Sequence, residues 1–263
     1  MIVVVGLGNI GLAIGRRLDE AQDAPVVGVE PSQERRDIWT AESYAVAVPD
    51  LDGVDWADVD HVVVVVRLTE QVEAVLDRLA GRLDARRAAV WIVTTLEPRF
   101  AADLARFEHV GRILELPVSG GEAAARSGTL TAMAAGPLDD ADRAVIGSIA
   151  PTLVEFDSYG QPTLAKLVNN VLGAYNATAF AEMLRIADGI GVDPERMREV
   201  IRTSSGGSWM VGVFMDLLDD LLVKDVALLS SRVGQLPAIS VDVGPAEFTE
   251  RLEVARALLS SPG

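Results

Sequence analysis

The sequence predicts a doubly wound, Rossmann-like α/β sheet followed by an all-α region, and three features carry that prediction. Up to about Asp157, apolar β-branched runs alternate with amphipathic helical stretches, the pattern of a mostly parallel sheet covered on both faces. From Gly160 onward the strand-like runs stop and helical periodicity takes over. The first strand run leads directly into glycines at G-x-G-x-x-G spacing and then into a helix pattern. The expected domains are residues 1–158 and 159–263.

In the opening MIVVVGLGNIGLAIGRRL, Gly6 permits a tight turn and Gly8 lets the backbone approach a pyrophosphate. Gly11 allows the helix to pack closely on the strand, with the helix N-terminus facing the phosphates. This strand–turn–helix context makes the motif a dinucleotide-binding signal. The next run, PVVGVE, ends at Glu30, 19 residues past Gly11, where an acid accepts hydrogen bonds from the adenosine ribose of NAD. Ser32, Arg35 and Arg36 follow and could instead hold a 2′-phosphate, so NADP stays open beside a lean toward NAD.

Residues 45–58 read as a short irregular excursion. DHVVVVVRLTEQVEAVLDRLAGRL gives a strand buried on both faces and an amphipathic helix. Its turn, RLT, lies at the carboxyl end of the strand, the side where open α/β sheets bind ligands. AAVWIVTTLEP repeats the arrangement with Thr94, Thr95 and Pro98 at the strand exit. GRILELPVSGG ends in Ser119, Gly120 and Gly121. Two adjacent glycines there can turn successive amides toward one carboxylate, or simply form a flexible loop. TLTAMAAG and TLVEFD frame a short helix, DDADRAVIGSIA, bringing the strand count to about seven.

The helical region opens with Pro162 in the first turn, where its missing N–H costs nothing, and its first helix runs to about Gly189–Gly191. The chain contains 21 arginines and only two lysines, Lys166 and Lys224. Arginine cannot release its proton near neutrality, whereas an enclosed lysine can be tuned to do so. Lys166 on this apolar helix is therefore a candidate proton carrier, against the alternative of a snorkelling surface lysine. Asn170, Gly173 and Ala177 share its face by three- and four-residue spacing, which offers a base, an amide and room for a small ligand. Asn169 and Asn170 are poor helix formers and call for a polar task or a buried network. VDPERMREVIRTSS starts a second helix behind an Asp193 cap. SSGGSWMVGVF is a pocket wall or a connector, DLLVKDVALLSSRVG carries Lys224 and Asp225 on a further helix, and PAEFTERLEVARALL supplies the last one.

Composition narrows the function. A net charge of −16 argues against nucleic-acid or anionic-membrane binding. The absence of cysteine removes disulfides and thiolate metal sites, and two histidines, His61 and His109, leave little for a metal. A P-loop phosphotransferase is excluded because no G-K-[ST] follows the first glycines. With a strand expected from Ile2 and no apolar run long enough to span a bilayer, the expected location is the cytoplasm.

Taken together, GLGNIGLAIGRRL, TTLEP, LPVSGGEAAARSGTLTAMAAG, KLVNN and KDVALL resemble, in order and spacing, the motifs of the β-hydroxyacid dehydrogenase family of the 6-phosphogluconate dehydrogenase superfamily. The resemblance covers nearly the whole chain and implies an oxidoreductase acting on a small carboxylate, with NAD or NADP. It implies that Lys166 is the general acid/base with Asn170 orienting substrate, and that Ser119, Gly120 and Gly121 hold the substrate carboxylate. It further implies a cofactor site of Gly6, Gly8, Asn9, Ile10, Gly11, Glu30, Leu68, Thr95 and Lys224, and a homodimer or higher homo-oligomer formed through the helical domain. Three features depart from the family pattern: Pro162 stands where a glycine is usual, Glu115–Leu116 precede the P-V-S-G-G segment, and the chain ends soon after its last helix. The last departure predicts a pocket wall missing or supplied by a partner subunit. Imine reduction, reduction of a larger substrate, and a cofactor-binding subunit without turnover are the rival readings.

Overall fold

The computed structural model describes residues 1–43, 45–83, 88–216, 219–240 and 243–260. Met1–Leu229 form one compact unit and Ser230–Gly263 a second. The first begins with β1 (Ile2–Val5), α1 (Asn9–Ala21), β2 (Val26–Val29), α2 (Gln33–Glu42) and β3 (Val46–Val48). It continues with β4 (His61–Val64), α3 (Thr69–Leu79), β5 (Ala89–Ile92), α4 (Pro98–Ala102) and β6 (Arg112–Glu115).

These six strands make a parallel sheet of order β3-β2-β1-β4-β5-β6. The order reverses between β1 and β4, which opens a crevice at the carboxyl ends of those strands. The continuous valine runs serve both faces. Val3, Val5, Val62, Val64, Val90 and Ile92 enter one core cluster, while Ile2, Val4, Val63, Trp91 and Leu114 enter the other. The sheet is thus buried on both sides, as a crossover topology requires.

Next come β7 (Val118–Ser119), α5 (Gly121–Ser127), β8 (Thr131–Ala134), α6 (Asp140–Ile149) and β9 (Thr152–Glu155). The expectation of about seven strands in one sheet needs correction here. The described residues hold nine, the last three forming a separate sheet of order β7-β8-β9. The parallel ladder runs as far as the Leu116 amide, which donates to the Ile92 carbonyl. Pro117 has no amide to extend it, and the chain turns to pair β7 antiparallel with β8. The supposed excursion at 45–58 likewise contains β3, a three-residue edge strand, and a 3-10 turn at Leu51–Gly53.

The first unit continues with α7 (Gln161–Gly189), α8 (Pro194–Thr203), α9 (Trp209–Gly212) and the start of α10 (Asp219–Val233). Asp193 caps α8 by accepting from the Arg196 amide, as its sequence position suggests. In the second unit, α11 (Pro245–Ser260) follows Gly234, and Arg251 joins the Ser240 carbonyl to Glu247.

His61 has a structural role at the amino ends of the strands, away from the crevice. Its Nε2 lies 3.2 Å from the fully buried Asp142, which also receives the Arg112 guanidinium at 2.7 Å. Burial opposes charge on Asp142, but these hydrogen bonds hold its carboxyl well below the usual range.

Candidate active site

The glycine turn after β1 is built by close approach. Gly6 adopts φ +93°, and a Cβ there would lie 2.6 Å from the Val65 carbonyl oxygen; a Cβ on Gly11 would lie 1.9 Å from the Gly6 oxygen. At Gly8 the space a side chain would take is open. Helix α1 begins at Asn9 with no side-chain cap and no acid in its first turn, so its leading amides and dipole face the crevice without a competing anion. These residues fit a dinucleotide pyrophosphate. Ile10 packs its side chain against the core, leaving its backbone as the part that can serve the crevice.

Glu30 sits just beyond β2. Its carboxylate accepts the Leu7 amide at 2.9 Å and the Ser32 amide at 3.0 Å, which fixes it beside the glycine turn. Arg35 reaches the Asn9 side chain at 3.1 Å, and Arg36 bonds the Glu30 and Pro31 carbonyls. Thr95 is half-buried past the end of β5. Leu68 and Lys224 line a common cleft of about 390 Å³, and Lys224 Nζ donates to the Arg67 carbonyl at 3.3 Å.

The polar cluster forms where α7 passes β7. Lys166 Nζ donates to the Val118 carbonyl at 2.7 Å, one residue ahead of Ser119. Gly120 and Gly121 have φ of +131° and +70°, a left-handed pair that leaves α5 without a side-chain cap and with its first amides free. A Cβ on Gly120 would meet Ala124 at 2.6 Å, so this turn tolerates no larger residue without rearrangement. Asn169 Nδ2 lies 3.2 Å from Asn170 Oδ1 and 3.5 Å from Ser119 Oγ, and Asn170 Nδ2 donates to Asp225 at 2.6 Å. Burial pushes the Lys166 ammonium down to about 8, with Asp225 pulling it up and Lys224 pressing it further down.

Helix α7 is anchored by a residue whose task the sequence did not reveal. Glu115, the last residue of β6, has no exposed surface. Its carboxylate accepts the Gly160 and Thr163 amides at 2.5 and 2.8 Å, and burial pushes its carboxyl up against those two hydrogen bonds. The arrangement also explains Pro162. Pro162 lies between the two residues whose amides Glu115 uses, Gly160 and Thr163, and a proline in the first turn forfeits nothing.

The expected room beside Gly173 is taken. Met210 of α9 fills it, with its Cε 2.3 Å from where a Cβ would stand. Its neighbour Trp209 is largely exposed and approaches Gly121, so the SWM segment walls the turn. Asp225 was visible in sequence only as the neighbour of Lys224; its signal was an acid on an otherwise apolar helical face. Among the described residues, no cluster of histidine, aspartate and glutamate is placed to hold a metal ion, and no helix is long and apolar enough to cross a membrane.

A parallel sheet with a glycine turn at its switch point, joined to a helix that carries a lysine–asparagine pair, has the build of a dinucleotide-binding protein. Residues 1–152 match the family model of the NAD binding domain of 6-phosphogluconate dehydrogenase. Residues 160–233 match that of the NAD-binding region of NADP-dependent 3-hydroxyisobutyrate dehydrogenase. The chain is 30% identical over 238 residues to L-threonate dehydrogenase of Cupriavidus necator, covering 88% of this chain and 78% of that one. Its fold is similar to that of 3-hydroxyisobutyrate dehydrogenase from Salmonella typhimurium, with a TM-score of 0.78 at 24% identity over 90% of this chain and 89% of that one. It is similar also to Psf3 in complex with NADP+ and 2-OPP, with a TM-score of 0.79 at 23% identity over 91% and 89%. The protein belongs to the β-hydroxyacid dehydrogenase family.

Proposed function

We propose that the protein interconverts a small β-hydroxy acid and the matching semialdehyde or keto acid, preferring NAD to NADP, with Lys166 as general acid/base. The observation that carries this reading is the Lys166 ammonium held 2.7 Å from the Val118 carbonyl, beside the Ser119–Gly121 turn. In this reading the free amides of that turn receive the substrate carboxylate and Asn170 orients the reacting hydroxyl. Neutral Lys166 takes the hydroxyl proton during oxidation, and its ammonium returns the proton during reduction. The Val118 carbonyl accepts from the nitrogen in either state, so the base stays in place through the cycle. A bound nicotinamide supplies the acceptor or donor of the hydride.

Gly6, Gly8, Asn9, Ile10 and Gly11 would hold the pyrophosphate, and Leu68, Thr95 and Lys224 the nicotinamide side. The NAD preference rests on Glu30. Its carboxylate is fixed by two amides and would repel a 2′-phosphate, while Arg35 and Arg36 are engaged with Asn9 and backbone carbonyls. In this scheme residues 1–158 are the cofactor-binding domain and residues 159–263 the substrate and self-association domain. For association, α7 offers a stripe of Val168, Leu172, Ala179, Met183 and Ile186, all exposed and spaced to share one side of the helix, with exposed Ile190 just past its end. The L-threonate dehydrogenase relative makes a hydroxylated four-carbon acid a substrate to test early.

The deciding experiment offers NAD and NADP separately to the purified protein with a panel of small hydroxy acids, threonate included, and semialdehydes in reverse. It is followed by the near-ultraviolet absorbance of the reduced cofactor. Turnover with a three- or four-carbon acid supports the reading. Silence across the panel with cofactor still bound overturns it and moves the search to cyclic imines and larger substrates.

A further inference from the structure

We propose that Asp225 is a positioning residue of this site: its buried carboxylate orients the Asn170 amide and supplies a counter-charge for Lys166. The inference rests on the reading of Lys166 as the proton carrier and adds a residue to it. Asp225 is 6% exposed on α10, where an isolated carboxylate is costly unless hydrogen-bonded and balanced by a cation. Lys224, its neighbour, does not serve, because adjacent helical residues do not face each other and Lys224 Nζ points to the Arg67 carbonyl. Asp225 raises the pKa of the Lys166 ammonium, against the burial that lowers it.

The Asn170 contact has a definite polarity. A carboxylate only accepts hydrogen bonds, so the 2.6 Å contact to Asp225 requires the Asn170 nitrogen on that side. The Asn170 oxygen is then left for the Asn169 amide at 3.2 Å, and Asn169 leads on toward Ser119. Asp225 thereby sets which end of Asn170 the site presents, from a helix 55 residues away in sequence. Its charge, with that of Lys224 from the same helix, fixes the electrostatic setting in which Lys166 gains and loses its proton.

The test uses the fact that the chain has only two lysines. Intact protein is acetylated with limiting reagent across a pH series, and the modification of Lys166 and Lys224 is followed separately by peptide mass spectrometry. In wild type the Lys166 midpoint is expected near 8, the value to which burial brings it. In D225N the midpoint should fall by roughly one unit, since an opposite charge nearby favours the ammonium. The conservative D225E keeps the charge but displaces the carboxylate. Its midpoint should stay near wild type, while kcat falls roughly ten- to hundred-fold through misplacement of Asn170.

An unchanged Lys166 midpoint in folded D225N overturns the charge role, and wild-type kcat in D225E overturns the positioning role. D225E keeps the proposal open to refutation even if D225N does not fold. The acetylation readout needs no substrate, so it separates this inference from the function it rests on. If K166M retains turnover, the base assignment fails whatever Asp225 does. If K166M is inactive and D225N shows the wild-type midpoint, only Asp225 loses its role.

Discussion

The Glu115 carboxylate and the Gly160 amide meet across a 2.5 Å hydrogen bond at the seam between β6 and α7, 45 residues apart in sequence. Together with the Thr163 amide, this contact ties the first turn of α7 to the sheet. A negative charge at a helix N-terminus is favourable, and here it also answers two amides that would otherwise be buried without an acceptor. E115A should therefore lower unfolding stability by roughly 2–4 kcal/mol, the cost of stranding two buried donors. The loss is read from denaturant unfolding. A change within experimental error would mean that water or a shifted backbone replaces the carboxylate at no cost.

The same pair shows where sequence reading stops. The valine run at 62–66 could be read as a central strand because burial on both faces leaves an unbroken β-branched signature. The glycine turn could be read because close packing and positive φ admit few other residues. Edge strand β3 was missed because three half-exposed residues carry no such signature. The second sheet was missed because pairing partners are a tertiary choice, made here after Pro117. In the site, Lys166 stood out by its rarity and Asn169–Asn170 by their poor helix propensity. Glu115 and Asp225 act through contacts 45 to 55 residues away, and no local pattern encodes those.

Lys166 should govern the pH dependence in opposite senses for the two directions. Burial lowers its ammonium from the ordinary lysine range to about 8. Oxidation requires the neutral amine, so kcat/KM for the hydroxy acid should rise with pH through that value and then level. Reduction requires the ammonium, so its kcat/KM should fall over the same interval. K166M should lose roughly two to four orders of magnitude in turnover, the usual worth of a general acid/base, while cofactor affinity stays near wild type. K166R should be equally inactive in oxidation because arginine stays protonated. Substantial turnover in either variant would remove the role from Lys166.

Glu30 should set the cofactor ratio. Replacing it with serine removes the fixed charge from the end of β2 and frees the Leu7 and Ser32 amides for an incoming phosphate. E30S should shift the ratio of kcat/KM for NAD over NADP toward NADP by roughly tenfold or more, equivalent to about 1.4 kcal/mol. Initial rates with each cofactor at saturating substrate provide the measurement. A ratio that does not move would place the discrimination elsewhere, with Ser32, Arg35 and Arg36 the next positions to vary.

The exposed stripe on α7 makes a prediction about assembly that is independent of catalysis. The helix has 29 residues, a length of roughly 43 Å; Met183 and Ile186 on its later turns and Ile190 just past its end lie open. Covering such side chains gains roughly 1.5–3 kcal/mol for each one fully buried, and a two-fold axis would apply each contact twice. Wild-type protein should therefore sediment as at least a dimer, and the double variant M183E/I186E as a monomer. Both side chains are exposed in the single chain, so the substitutions should leave its fold and its unfolding transition unchanged. Monomeric wild type at micromolar concentration would refute association through this face. Dimeric M183E/I186E would show instead that the contact lies on another surface.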